Sequence, residues 1–134
     1  MPAPRFPVSV KGVIFLGDRV VLLRNEREEW ELPGGRLESG EEPVSCLVRE
    51  VKEELGIAVA VEAILDCWRY EVAGGEVVIV TYGCRHVGDA DLQISAEHKA
   101  LGLFGVAELA ALTMPEGYRR SIRQWHRLLR EQGS

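Results

Sequence analysis

The 134-residue sequence contains little cysteine, and its three cysteines are widely spaced and outside any C-x-x-C arrangement. An odd number with this spacing argues against a disulfide framework and favours free buried thiols in a reducing compartment over a redox role. The sequence also lacks a long apolar run and an N-terminal stretch in which charged residues precede apolar ones. A membrane span and a secretory signal are therefore not predicted, and we expect a cytoplasmic protein without a membrane partner.

A concentrated basic footprint is also missing. The formal net charge is −5, and residues 35–56 alone contain six glutamates against three basic residues. Because nucleic-acid polymers bind clustered lysine and arginine, the charge pattern argues against a nucleic-acid partner. A phosphate-bearing ligand at so acidic a segment would need a metal ion as a bridge.

No internal repeat, low-complexity segment or linker interrupts the chain, which predicts a single domain over residues 1–134 with an extended, proline-containing arm at residues 1–7. Apolar residues make up 46% of the sequence, enough for a buried core. Runs rich in β-forming residues predict strands at 8–16, 19–24, 30–32, 57–72 and 76–87, and apolar periodicity predicts helices at 43–55, 106–112 and 116–131. This order of elements predicts an α/β sandwich.

The helix at 43–55 has clear start and stop signals. Pro43 suits the first turn, where its missing N–H has no partner to lose, and Gly56 suits the left-handed residue that closes a helix. Between them lies an apolar stripe that we expect to face the core, formed by Val44, Leu47, Val48, Val51 and Leu55.

Three carboxylates are predicted to lie together beside that stripe. At about 3.6 residues per turn, Glu50, Glu53 and Glu54 share one arc of the helix. Like charges at these spacings repel one another, so a hard divalent cation with oxygen ligands is a natural compensator. Arg49, four residues before Glu53, is an internal alternative, and a solvated acidic face is the simplest interpretation of three such glutamates in isolation.

The upstream residues favour a functional interpretation. Residues 34–57 read GGRLESGEEPVSCLVREVKEELGI and resemble the Nudix box, the signature of MutT-like pyrophosphohydrolases that cleave nucleoside diphosphates linked to another group X. We refer to residues 34–57 as the box segment. The family pattern is met at Gly35, Glu41, Arg49, Glu50, Val51, Glu53, Glu54, Gly56 and Ile57.

The resemblance implies the Nudix fold, a mixed β-sheet between helices with the box as a loop–helix–loop and a further helix at the C-terminus. It also implies a reaction that depends on Mg²⁺ or Mn²⁺, the hydrolysis of a diphosphate linkage in a small-molecule nucleotide to release a nucleoside monophosphate. The substrate class stays open between a nucleoside triphosphate, a nucleotide sugar and an ADP-ribose type of molecule.

Site roles follow from the same resemblance. Glu53 and Glu54 would be metal ligands, and Glu50 would be a ligand or a base that acts through a metal-bound water. Arg49 would orient the carboxylates, and Glu41 would support the loop or join the outer metal shell. The carbonyl of Gly34 would face the metal, although a simple tight turn at Gly34 and Gly35 is equally compatible with the sequence.

Outside the box segment the expectations rest on fewer residues. Glu97 lies in the loop where family members often carry a further metal ligand or general base, and a plain surface acid is the alternative. His98 beside it is interpreted as a surface or structural histidine rather than a catalytic one. Arg24 and Arg36 are candidate phosphate contacts. Trp68, on a predicted strand, is interpreted as packing rather than as a platform for a nucleobase.

Two further hypotheses stay open. The chain could be a non-catalytic Nudix-fold module that senses a nucleotide, although such a module is expected to lose box carboxylates and none is lost here. The active form could be a homodimer, with the N-terminal arm or the Trp68 region at its interface.

Overall fold

The observed elements follow the order that the sequence predicts. The computed structural model describes residues 5–72, 74–94, 98 and 100–133. These residues form strands β1 (Val8–Leu16), β2 (Arg19–Arg24), β3 (Trp30–Glu31), β4 (Gly34–Arg36), helix α1 (Pro43–Leu55), strands β5 (Ala58–Val72), β6 (Gly75–Val87), β7 (Ala100–Gly105), a 3₁₀ helix (Val106–Ala111) and helix α2 (Glu116–Gln132). Residues 1–4 of the predicted arm lie outside the described part.

Strand β1 lies at the centre of a mixed sheet. It pairs antiparallel with β2 and β4 and parallel with β6, and the strand order runs β3-β2-β1-β6-β5, with β7 beside β2. Strands β5 and β6 form a long antiparallel hairpin. The strand β7 was not predicted, because only a short apolar run marks it in the sequence.

Alternation along the strands gives the sheet two apolar faces. On β2, Val21 and Leu23 pack in the cluster that contains α1, whereas Val20 and Leu22 pack in the cluster that contains α2. The two helices therefore cover opposite faces of the sheet. This arrangement confirms the predicted α/β sandwich.

Helix α1 has the predicted ends but a rotated buried face. Pro43 begins the helix, and Gly56 closes it with φ +73°. Val44 is 46% exposed, whereas Cys46 and Glu54 are buried. The buried Glu54 carboxylate accepts a hydrogen bond inside the protein, and the expectation that Val44 faces the core is wrong.

The two glycines of the box segment form a strand rather than a simple turn. Gly34, Gly35 and Arg36 are β4, which pairs with β1 so that Lys11 lies opposite Gly34. Gly34 has φ +145°, and a Cβ there would lie 2.0 Å from the Val10 carbonyl oxygen. Only glycine allows the two backbones to come this close. The close approach explains why residue 34, which the family pattern does not specify, is a glycine.

Helix α2 buries most of the predicted stripe, including Tyr118, Ile122 and Trp125. The ring of Trp68 lies 5.3 Å from that of Tyr118, an edge-on contact. Trp68 therefore packs between the sheet and α2, as interpreted from the sequence.

One arginine of the basic α2 face is structural. Arg119 is largely buried and donates hydrogen bonds to the carbonyl oxygens of Leu109 at 3.0 Å, Met114 at 3.1 Å and Leu112. These carbonyls belong to the 3₁₀ helix and to the connection between it and α2, so the guanidinium holds both against α2.

We expect Arg119→Met to lower the free energy of unfolding by about 2 kcal/mol, since the carbonyl groups lose a charged donor. Arg127→Met is the matched control, because Arg127 lies on the same helix and is exposed. Urea denaturation of both variants measures the difference, and equal midpoints would contradict this role of Arg119.

Candidate active site

Arg49 is the centre of the acidic cluster on α1. Its Nε and Nη2 atoms donate to the two carboxylate oxygens of Glu41, at 2.8 and 3.2 Å. Its Nη1 atom donates to Glu53 at 3.2 Å and lies 3.2 Å from Glu50 Oε1. One guanidinium thus offsets three negative charges, and the internal compensation considered from the sequence is present.

This pairing ties the loop before α1 to the helix. The hydrogen bond from Arg49 holds the pKa of Glu41 far below its ordinary value, at about 2, and the same contact raises the pKa of Arg49. Glu41 also accepts a hydrogen bond from the Glu38 backbone N–H at 3.2 Å. The loop that leads into α1 is therefore held through the Glu41 side chain.

Glu50 lies directly over β4. A Cβ built on Gly35 would be 2.4 Å from the Glu50 carboxyl carbon. A side chain on residue 35 would displace this carboxylate. Glycine at this position therefore allows the Glu50 carboxylate to approach the backbone of the box segment.

Glu54 lies in a different environment from its two neighbours. Its side chain is only 6% exposed, against 19% for Glu50 and 59% for Glu53. Its Oε1 atom accepts the Gly34 N–H at 2.7 Å, and its Oε2 atom lies 3.4 Å from His98 Nε2. Burial away from water raises the pKa of Glu54 to about 7.

A second carboxylate, that of Glu31, lies partly buried next to His98. Glu31 Oε1 lies 3.2 Å from His98 Nε2, and Glu31 Oε2 lies 3.8 Å from Lys11 Nζ and accepts from Asn25 Nδ2 at 3.3 Å. Burial alone would raise the pKa of Glu31, but His98, Lys11 and Asn25 outweigh it and lower the pKa to about 2. The hydrogen bond with Glu31 raises the pKa of His98.

A pocket of about 190 Å³ opens beside these residues. It is smaller than the roughly 300–1,000 Å³ of pockets that enclose a drug-sized ligand, so it would take one part of a larger molecule. Its wall combines charged, amide and apolar side chains from the sheet, the 25–29 turn and the start of α2, among them Lys11, Asn25, Arg27, Glu29, Glu31, Arg36, Tyr70, Ile79 and Tyr118.

The 25–29 turn is held across the mouth of this pocket. Asn25 Oδ1 accepts the backbone N–H groups of Arg27 and Glu29, at 2.9 and 3.1 Å. The Tyr70 hydroxyl donates to the Glu29 carboxylate at 3.0 Å. The charged loop is therefore ordered by side chains that also line the pocket.

The structure gathers most of the predicted site residues. Glu41, Glu50 and Glu53 meet at Arg49, and Gly34 and Gly35 lie beside them, as described above. Arg36 lines the pocket. Gly56 closes α1 in the left-handed conformation, with φ +73°.

Two predicted residues are not part of this group. Arg24 forms an ion pair with Glu28, and it is absent from the pocket lining. Glu97 lies outside the described residues, so its predicted role stays a prediction.

Sequence reasoning did not find Lys11 and Glu31. The signal for Lys11 is present, because it is the one charged residue within the otherwise apolar run of β1. A buried lysine of this kind needs a carboxylate partner, and Glu31 supplies it. The connection to Glu54 through His98 depends on tertiary contacts and leaves no local pattern.

The donor chemistry of α1 suits a hard divalent cation, because Glu50, Glu53 and Glu54 offer only carboxylate oxygens. Among the described residues, however, no group of three or more His, Cys, Asp or Glu side chains is arranged to hold a metal ion.

A mixed sheet between two helices, with an arginine-centred carboxylate cluster next to a glycine-rich strand, defines an α/β sandwich protein with an acidic site on its first helix. The sequence model of the NUDIX domain matches residues 5–125. The chain belongs to the Nudix family.

Relatives and solved structures agree with this membership. A MutT-like protein from Streptomyces ambofaciens is 35% identical over 100 residues, which cover 73% of this chain and 63% of the relative. The asymmetrical bis(5′-nucleosyl)-tetraphosphatase of Rattus norvegicus is 30% identical over 105 residues, which cover 75% of this chain and 71% of the relative. The chain thus spans less than two thirds of the length of the Streptomyces relative.

A solved hydrolase structure also shares the fold. A Caenorhabditis elegans Ap4A hydrolase, solved as a binary complex, superposes with a TM-score of 0.81 at 20% identity, over 93% of this chain and 98% of that one. Within the residues that the structure describes, no helix is both long enough and apolar enough to cross a membrane.

The depressed pKa of Glu31 predicts a pH-dependent stability. A carboxyl group whose pKa falls from 4.5 to about 2 on folding stabilises the protein above pH 4.5, and this contribution is lost as the pH falls toward 2. Glu31→Gln should therefore destabilise the protein at pH 7, by on the order of 1–3 kcal/mol, and the difference from wild type should shrink below pH 4.5.

Urea unfolding at pH 7, 4 and 3 measures this difference. Glu62→Gln is the control, because Glu62 forms an exposed ion pair with Arg85, which is expected to contribute about 1 kcal/mol or less. A Glu31→Gln difference that stays constant over this pH range would contradict the assignment.

Proposed function

We propose that this protein hydrolyses a diphosphate linkage in a nucleoside diphosphate derivative, with a divalent metal ion, and releases a nucleoside monophosphate. The observation that carries the proposal is the arrangement around Arg49, where Glu41, Glu50 and Glu53 meet beside Gly35. The residues of the box segment that match the family pattern lie in this arrangement, next to it, or on or beside the helix that carries it.

The metal would be Mg²⁺ or Mn²⁺, because the available donors are hard oxygens. Glu50, Glu53 and Glu54 would hold it, with the Gly34 carbonyl. When bound, such an ion neutralises phosphate oxygens and lowers the pKa of a water molecule. A cation at these carboxylates would compete with Arg49 for Glu50 and Glu53, and the arginine pairing would hold the two carboxylates close together before the ion binds.

The chain's own groups would orient the reacting parts. Arg49 sets the direction of the Glu50 and Glu53 side chains, and the Gly34 N–H sets that of Glu54. Glu50, directly over the backbone of β4, would serve as a ligand or as the base. Glu97, which precedes β7 in the sequence, would be a further ligand or base.

The pocket beside the site would take the part of the substrate that distinguishes one nucleotide derivative from another. Lys11, Arg27 and Arg36 give it positive charge next to the aromatic rings of Tyr70 and Tyr118. An anionic molecule with a planar group suits this combination. Relatives named as tetraphosphatases support a nucleotide substrate, and a nucleoside triphosphate, a nucleotide sugar and an ADP-ribose type of molecule are the classes to test.

The wider expectations complete the proposal. We propose that residues 1–134 act as one domain, in the cytoplasm, with a small-molecule nucleotide as partner and neither a nucleic-acid polymer nor a membrane. A homodimer is the oligomer to test, by light scattering after size exclusion.

Turnover of a nucleotide panel with Mg²⁺ tests the activity, with nucleoside monophosphate as the measured product. Glu53→Gln should lower the rate at least about a hundredfold, because the site loses a charged oxygen ligand. Glu42→Gln is the matched control, since Glu42 is exposed at the start of the same helix. A folded wild-type protein that binds a nucleotide tightly but turns over no member of the panel would instead support the nucleotide-sensing module.

Gly35→Ala tests the placement of Glu50. The added Cβ would collide with the flexible end of Glu50, so the fold should persist while the rate falls by about tenfold or more, as expected for a displaced reacting group. Gly75→Ala is the control, because a Cβ at Gly75 meets nothing within 4 Å. An unchanged rate in Gly35→Ala would show that the position of Glu50 does not matter.

A further inference from the structure

Three side chains with little exposure link the pocket to the acidic helix. Glu31 lines the pocket, Glu54 belongs to α1, and His98 lies within 3.4 Å of both. The exposed fractions of the side chains are 14%, 9% and 6%. A single nitrogen, His98 Nε2, lies 3.2 Å from Glu31 Oε1 and 3.4 Å from Glu54 Oε2.

The chemistry of these neighbours defines the role of that nitrogen. The low pKa of Glu31 keeps its carboxylate ionised, so this carboxylate only accepts hydrogen bonds and the Nε2 atom at 3.2 Å carries the hydrogen. The ring therefore donates to Glu31 and places the same N–H group 3.4 Å from Glu54 Oε2. Lys11, 3.8 Å from the other oxygen of Glu31, supplies further positive charge to the same group.

The two oxygens of Glu54 are held by different parts of the fold. Oε1 accepts the Gly34 N–H at 2.7 Å, which fixes one end of the carboxylate to β4. His98 faces Oε2. With only one anchor, the carboxylate could rotate about the bond that joins it to its side chain, whereas two anchors fix its plane.

We propose that His98 is a positioning residue that orients the Glu54 carboxylate for the reaction, with Glu31 as its anchor on the pocket wall. The inference rests on the proposed function, since it assigns a role within the same site. His98 does not touch the reacting atoms in this account. It acts through Glu54.

The arrangement also connects substrate binding to the helix. Lys11 and Glu31 face the pocket, and Glu31 contacts the ring that orients Glu54. A group that binds to the pocket wall would therefore contact Lys11 and Glu31, and Glu31 is linked through His98 to Glu54. A structural histidine that only filled space would need neither carboxylate at its Nε2 atom.

Substitutions that differ in donor chemistry test the role of His98. His98→Leu keeps an apolar side chain of moderate size and removes the donor, whereas His98→Gln keeps an N–H donor at a similar distance from the backbone. Partners that orient metal ligands typically contribute about 10–100-fold in affinity or rate. We expect His98→Leu to lower kcat by about tenfold or more with little change in KM, and His98→Gln to recover most of the loss.

A second readout does not depend on turnover. The Kd of Mn²⁺ for the substrate-free protein, measured by electron paramagnetic resonance, should rise by about tenfold in His98→Leu and return toward wild type in His98→Gln. His126→Leu is the control, because His126 lies on α2 against Phe15. Circular dichroism melting confirms that each variant is folded at the assay temperature, and His98→Asn replaces His98→Leu if the leucine variant does not fold, since the shorter amide does not reach both acids.

An unchanged kcat and an unchanged Kd of Mn²⁺ in His98→Leu would overturn the inference. Equal losses of kcat in His98→Leu and His98→Gln would overturn it as well. If wild type binds Mn²⁺ but hydrolyses no nucleotide, the proposed activity fails, while the comparison of Kd values still decides the role of His98.

Discussion

The hydrogen bond from the Gly34 N–H to Glu54 Oε1, 2.7 Å long and buried, is the contact on which the rest of the site depends. It joins β4 to the last turn of α1 across 20 residues of chain. A buried carboxylate without such a partner would be strongly destabilising, so the bond fixes the rotation of the helix. With α1 held in this rotation, Glu50 lies over Gly35 and Arg49 reaches Glu41.

The carboxylates of α1 are consequently divided between two environments. Glu54 faces inward and is tied to backbone, His98 and, through Glu31, the pocket wall, whereas Glu53 faces water and is paired with Arg49. The repulsion among these carboxylates is reduced by Arg49 on one side and by Lys11 and His98 on the other. The negative charges of the site are thus balanced by basic side chains of the protein itself.

Local signals in the sequence predicted the frame of this site. Pro43 and Gly56 marked the ends of α1 correctly, and the spacing of the box segment led to the family and the fold. The burial of Glu54 could not be predicted, because apolar periodicity alone placed Val44 inside and ignored the hydrogen bond available at Gly34. The contacts of Lys11, Glu31 and His98 could not be predicted either, because sheet pairing brings together residues that lie far apart in sequence.

The proposal that the α1 carboxylates hold a metal ion, which in turn binds the diphosphate group, is tested most directly by anomalous diffraction from a crystal grown with Mn²⁺ and a non-hydrolysable nucleoside diphosphate derivative. The account predicts Mn²⁺ coordinated by oxygens of Glu50, Glu53 or Glu54, with the diphosphate bound to the same ion. Nucleotide bound in the pocket with Mn²⁺ only at other residues, and with Arg49 still paired to Glu50 and Glu53, would contradict it.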